Sequence, residues 1–323
     1  MTSKVLFLKS FLLISLIFNF TACNNTRQVT PYELDTDEVY KALAPNEEDS
    51  PNGLTFGKGN IPGTIFDYEI NTDSTDVYVF FEKFTILDIN PKINRDIFEF
   101  ALQQLKEFGF VNDSLILPSN SFQNISSDSS GYDESARHLL DFFREEFQHE
   151  LDTIYSYKSP FNIYFQIYPI NITEDYVTYR ESAYSYTGGA HGISISYLRS
   201  YSLKTGNLLT INDIITPSGL QSVRDEVVAH MAYSYPIFEN ISTVDQYLDS
   251  LNIWLDHTQP EGEAGDITIK DYPLPNPALT QEGLAFVYQM YELTPGSDGC
   301  PMVLIPYKDI KGCLNPPFEP SSK

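Results

Sequence analysis

At 323 residues, with 42% hydrophobic and 20% charged side chains, the chain can bury a substantial core and is too apolar for a disordered polymer. Its 44 acidic residues outnumber 20 basic ones, giving a formal charge of -24 that repels nucleic acid and anionic lipid, attracts basic partners and keeps the chain soluble. The 22 Tyr and 22 Phe favour pleated, half-buried strands, and the usual domain size suggests roughly two domains.

Lys4 and Lys9 flank an apolar run over residues 5–18, too short to span a bilayer comfortably but suited to the core of a signal peptide. The run ends at Phe20-Thr21-Ala22-Cys23, where two small residues precede a cysteine. This resembles the bacterial lipobox, with Phe20 in place of the usual Leu. The resemblance implies a lipoprotein signal peptide over 1–22, cleavage before Cys23, and lipidation of Cys23 with palmitate as a membrane anchor. An ordinary secretory signal with an incidental cysteine is the alternative. Either reading exports the chain, and the lipobox places it in the bacterial cell envelope, on the periplasmic side or at the cell surface. Asn24-Asn25-Thr26-Arg27 lacks the acidic run of a surface-export signal, which favours the periplasmic side.

Residues 23–60 lack apolar periodicity and carry Pro31, Pro45, Pro51, Gly53 and Gly57, so they read as a flexible tether. Two strands are expected within 65–88, rich in β-branched and aromatic residues, followed by a helix opened by Asn90-Pro91 with Ile93, Ile97, Phe98, Phe100, Leu102 and Leu105 as its apolar stripe. A Ser/Asn/Asp-rich loop over 112–131 leads to a second amphipathic helix over 133–154. Its His138 and His149 are not spaced as a metal pair. Strands at 161–170, 176–186, 193–203 and 208–211 predict a contiguous antiparallel meander, with Lys204-Thr205-Gly206-Asn207 as the last turn. Helices follow at 217–233 and 243–255, with Trp254 on the apolar face of the second. The remaining expectations are strands at 267–272, 283–290 and 302–306, a short closing helix at 308–314, and a loose proline-rich tail over 315–323.

Three of these stretches share a family pattern: Tyr186-Thr187-Gly188-Gly189-Ala190-His191-Gly192, then Ser202-Leu203-Lys204-Thr205-Gly206-Asn207-Leu208-Leu209-Thr210, then Glu282-Gly283-Leu284-Ala285-Phe286-Val287-Tyr288. With Val303-Leu304-Ile305-Pro306-Tyr307-Lys308-Asp309-Ile310 they resemble the family DUF3298, and the region before them is similar to its companion DUF4163. The resemblance implies an α+β fold, antiparallel sheets with helices packed on one face, in two successive subdomains over 61–170 and 171–314. The pairing forms the extracellular part of RsiV-type anti-sigma factors, which bind lysozyme, and accompanies the catalytic domain of some peptidoglycan deacetylases. It implies an envelope protein whose partner is a basic lysozyme-like muramidase or peptidoglycan, although this sequence shows neither an anti-sigma segment nor a deacetylase metal motif.

The glycine loop Thr187, Gly188, Gly189, Ala190, His191 and Gly192 is the candidate binding loop, because glycine N-H groups can receive an anion. His191 with Asp213 or Glu181 is the candidate catalytic set of the alternative reading, a peptidoglycan-modifying hydrolase or accessory domain. No G-x-S-x-G elbow, Walker loop, HExxH, CxxC or EF-hand loop occurs, so the expectation is a binding protein with no cofactor and no metal. Cys300 and Cys313 remain as an even pair in an exported chain, which permits a disulfide and equally permits two packed thiols.

Overall fold

The computed structural model describes residues 49–50, 53–56, 59–61, 63–71, 77–108, 113–116, 138, 141–142, 144–145, 161–186, 191–238, 241–258 and 266–319. Cys23 and the signal peptide lie outside them. So do most of the expected tether, much of the 112–131 loop and the 133–154 helix, and Thr187, Gly188, Gly189 and Ala190 of the glycine loop. Within the expected tether, β1 (Asp49–Ser50), β2 (Gly53–Phe56) and β3 (Gly59–Ile61) form a small antiparallel sheet.

The main sheet has five strands in chain order: β4 (Gly63–Asn71), β5 (Val77–Leu87), β6 (Phe161–Ile172), β7 (Tyr176–Tyr186) and β8 (Ile193–Ser202). Every pair is antiparallel except β5 with β6, and the crossover that a parallel pair requires contains helix α1 (Pro91–Glu107). Asn90 caps α1 by accepting from Lys92 N-H at 3.1 Å, and Pro91 occupies the first turn, where its missing N-H costs nothing. Ile93, Ile97, Phe98, Ala101 and Leu105 then bury one stripe of α1 against Phe81, Phe84, Phe165, Val177 and Tyr179 of the sheet. The division expected at 170/171 falls inside β6, so one sheet is shared by both halves.

The opposite face of this sheet meets a second, three-stranded antiparallel sheet of β9 (Ala278–Leu279), β10 (Gly283–Val287) and β11 (Met302–Pro306). Tyr168, Ile170 and Leu198 pack there on Ala278, Ala285, Val287 and Leu304. Beyond a one-turn helix α2 (Ile211–Ile214), helices α3 (Leu220–Ser234) and α4 (Val244–Thr258) cover the far side of the smaller sheet with Val223, Val227, Met231, Tyr247 and Leu251. The layers therefore run helix, sheet, sheet, helices, as the α+β expectation requires.

A buried polar relay ties the two sheets. Thr178 O-H donates to Leu279 C=O at 2.7 Å, so at the 2.7 Å contact between the two hydroxyls Ser200 is the donor, while Leu279 N-H donates to Ser200 Oγ at 2.9 Å. Thr178→Val strips one member and strands a buried carbonyl and hydroxyl. The expected loss is about 1–3 kcal/mol, read as a lower urea midpoint at unchanged slope.

Four expectations are corrected. Residues 208–211 contribute a single bridge, Tyr201 with Leu208, because a capping box between Thr210 and Asp213 starts α2 at Ile211. Residues 267–272 form turns rather than a strand, with Thr268 O-H donating to Asp271. Residues 308–312 form turns and a bend, and Leu314 bridges Ile215, in place of a helix. Residues 315–319 are pinned: Asn315 Nδ2 donates to the carbonyls of Asn212, Asp213 and Ile215, Glu319 accepts from Gly312 N-H, and the Phe318 ring packs edge-on against Tyr176.

Candidate functional site

The smaller sheet covers only part of the face it meets. Strand register sets Tyr168, Arg180 and Leu198 in one row across β6, β7 and β8, and Tyr168 and Leu198 lie under the second sheet. The next row, Glu82, Gln166, Ser182 and Ser196, and Tyr164, Tyr184 and Ser194 from the one beyond, line an open groove of about 450 Å³. Phe80 and Tyr164 stack 4.7 Å apart at 9°, and Tyr184 follows at 6.4 Å, so these rings stand as a wall rather than lie as a platform. Gln166 Nε2 donates to Glu82 at 2.9 Å, and Ser182 O-H donates to Gln166 C=O. Arg180 has no ion pair among the described residues, in a chain whose acids outnumber its bases by more than two to one. Cys300 closes one side; it donates to Ser194 C=O, and burial pushes its thiol pKa up.

Gly192 lies against Tyr184 of the groove, and its neighbour His191 contacts Tyr291. His191 Nδ1 lies 3.1 Å from Gly192 C=O and its Nε2 lies 3.2 Å from Tyr291 O-H, so both ring nitrogens are engaged. A Cβ at Gly192 would sit 2.4 Å from the Tyr184 ring, so only glycine lets that aromatic fold over the chain. Tyr291, 47% exposed, holds a φ of 67°, uncommon for a bulky residue.

The three residues of the alternative catalytic set are dispersed, and no hydrogen bond joins one to another. Glu181 is fully buried on the opposite face of β7, where it accepts from Arg199 at 2.9 Å and from Tyr201 O-H at 2.8 Å. Burial pushes its pKa from 4.5 to about 7 against the opposing pull of Arg199 and Tyr201. Asp213 sits at the start of α2, its pKa lowered by the Thr210 N-H and O-H it accepts. Cys300 and Cys313 are both free thiols. The permitted disulfide is not formed, because one lies between the sheets and the other packs under α3. Among the described residues, no group of three His, Cys, Asp or Glu could hold a metal, and no helix is long and apolar enough to cross a membrane.

Reading the sequence for chemistry missed Arg180, Gln289 and Tyr291. A signal for Arg180 was present: Thr178, Arg180, Ser182 and Tyr184 alternate with Val177, Tyr179 and Ala183, marking a polar face on β7. Nothing in the alternation says where a second sheet stops covering that face.

No curated protein matches the chain. Two crystal structures are similar to it. A DUF3298 family protein from Pseudomonas aeruginosa PAO1 is 19% identical, with 81% of this chain and 98% of that one covered and a TM-score of 0.46. A member of the same family from Bacteroides fragilis NCTC 9343 is 17% identical, with 80% and 94% covered and a TM-score of 0.46. Residues 230–308, from the end of α3 past β11, match the family described as "Protein of unknown function (DUF3298)", and the chain carries that domain there.

Proposed function

We propose that the chain is a lipid-anchored binding protein of the bacterial cell envelope whose sheet-face groove holds a peptidoglycan-derived ligand. The observation that carries this reading is Arg180, a guanidinium with no ion pair among the described residues, set beside Gln166, Ser182, Ser194 and Ser196 in a groove of small-molecule size. Peptidoglycan fragments bring carboxylates for the arginine and hydroxyl and amide groups for the rest. The Phe20-Thr21-Ala22-Cys23 motif supports attachment through Cys23, and the resemblance to RsiV-type extracellular regions with a DUF4163-like companion supports an envelope setting. The dispersal of His191, Asp213 and Glu181 lends no support to hydrolysis by that set.

Calorimetric titration of the mature protein with soluble muropeptides tests the reading. Arg180→Gln is expected to weaken binding about tenfold or more, since a charge-assisted hydrogen bond contributes about 1.5–3 kcal/mol. Absence of heat with the unaltered protein removes the reading. A second reading, capture of a basic lysozyme-like muramidase, is favoured by the -24 charge and by the exposed Ile193 and Tyr291. It requires retention that fades as salt is raised past about 0.15 M, where the screening length is about 8 Å.

A further inference from the structure

Strand β8 is an edge of the main sheet, and the protein closes six of the ten outward backbone groups between Ser194 and Ser202 with its own groups. Ser194 C=O accepts from the Cys300 thiol. Ser196 N-H donates to Gln289 Oε1 at 3.2 Å, and its C=O accepts from Gln289 Nε2 at 2.8 Å, so one carboxamide satisfies both backbone groups. Ser200 C=O accepts from Leu209 N-H, Ser202 N-H donates to Asn207 C=O, and Ser202 C=O accepts from Gly206 N-H. Alternate residues of a strand point their N-H and C=O to the same edge, and the β7–β8 register runs without a bulge from Ser202 to Ile193. Leu198 therefore turns both of its backbone groups outward, between Ser196 and Ser200. Among the described residues no protein group meets them.

Leu198 does not open onto bare solvent. It lies in a second cavity of about 320 Å³, distinct from the sheet-face groove, walled by Leu208, Leu209 and Pro275 with Asn276, Gln289 and Glu292 as its polar rim. Glu292 accepts from Gln289 N-H at 2.8 Å, which fixes the turn carrying the Gln289 carboxamide.

We infer that this cavity is a binding site for an amide-bearing ligand, whose C=O accepts from Leu198 N-H and whose N-H donates to Leu198 C=O as the Gln289 carboxamide does two residues away. From Ser194 to Ser202, Leu198 is the one outward position with neither backbone group met among the described residues, so the ligand is a chain end or a single acylamino group and not a long added strand. No residue that lines this cavity lines the Arg180 groove. A peptide bond and the acetamido group of an amino sugar offer the same chemistry.

The test follows the Leu198 amide in the ¹⁵N-labelled protein during titration with N-acetylalanine methylamide in one arm and N-acetylglucosamine in the other. A saturable downfield shift of Leu198 and at least about tenfold slower hydrogen exchange there, with the already bonded Ser202 amide unmoved, is the expected result. The responding arm names the source. Leu208→Trp, which fills the cavity, is expected to abolish the shift. Gln289→Ala uncovers Ser196, so its amide should then respond as well, and this variant keeps the test decisive if the tryptophan disturbs folding. A Leu198 amide that responds to neither probe, or a shift that survives in a folded Leu208→Trp protein, overturns the inference.

Discussion

Arg199→Met is expected to cost about 3–5 kcal/mol of stability at pH 8 and much less at pH 5, measured by urea unfolding at the two pH values. Arg199 faces Glu181 on the α1 side of the sheet, and its guanidinium lies 4.6 Å from the Tyr197 ring centroid and 5.3 Å from that of Phe100. Burial raises the Glu181 pKa, and Arg199 is the largest influence opposing it. The folded pKa of about 7 lies above the ordinary 4.5. The folded state thus holds a proton that the unfolded state releases between those values, and stability falls as pH rises through this window. At 1.36 kcal/mol per pH unit the interval corresponds to about 3 kcal/mol. At pH 5, below the folded pKa, the folded carboxyl is mostly neutral in both proteins, so loss of the arginine removes packing and cation-π contact. Above it the unaltered protein carries a paired carboxylate, whereas the variant carries an unpaired one or keeps its proton at a cost. Glu181→Gln is the companion: its stability relative to the unaltered protein should rise from pH 4 to pH 8, because an amide does not titrate.

Gly283→Ala is expected to destabilise the protein by about 3 kcal/mol or more, at the upper end of overpacking effects. Gly283 pairs with Pro306 across β10 and β11, and a Cβ there would lie 2.0 Å from the Ile305 carbonyl oxygen and 2.7 Å from its carbon. Its φ is outside the left-handed region, so the cost is steric and not conformational. Backbone cannot rotate away as a side-chain tip can, and the strands must separate where Leu284, Phe286 and Ile305 close the core beneath α3 and α4. A urea midpoint within experimental error of the parent would mean that the β10–β11 register is wrong.

The sequence exposed local instructions well and spatial coincidences poorly. Asn90-Pro91 followed by a stripe of Ile93, Ile97 and Phe98 marks α1, because cap and stripe act within one helix. The strand ending at Pro306 was equally legible from its apolar run. At residues 208–211 strand propensity lost to the Thr210–Asp213 capping box, two residues whose bonding outweighs the preceding leucines. At the site, the glycine loop drew attention to His191, but the carboxylates imagined beside it belong to the far face of β7 and to α2. Arg180 and Leu198 matter because of where the smaller sheet ends and which groups close the edge of β8. Those facts involve residues some 90 to 110 positions apart, such as Ser196 with Gln289 and Ser194 with Cys300. No local pattern encodes them.

In the proposed function the open sheet face holds a ligand through Arg180. A crystal structure of the protein with a soluble muropeptide tests it most directly. The expected result is a ligand carboxylate about 2.7–2.9 Å from the Arg180 guanidinium, with the remainder lying along Gln166, Ser182 and Ser196 against the Tyr164–Tyr184 wall. A muropeptide bound elsewhere, with the groove vacant and Arg180 unengaged, would contradict it.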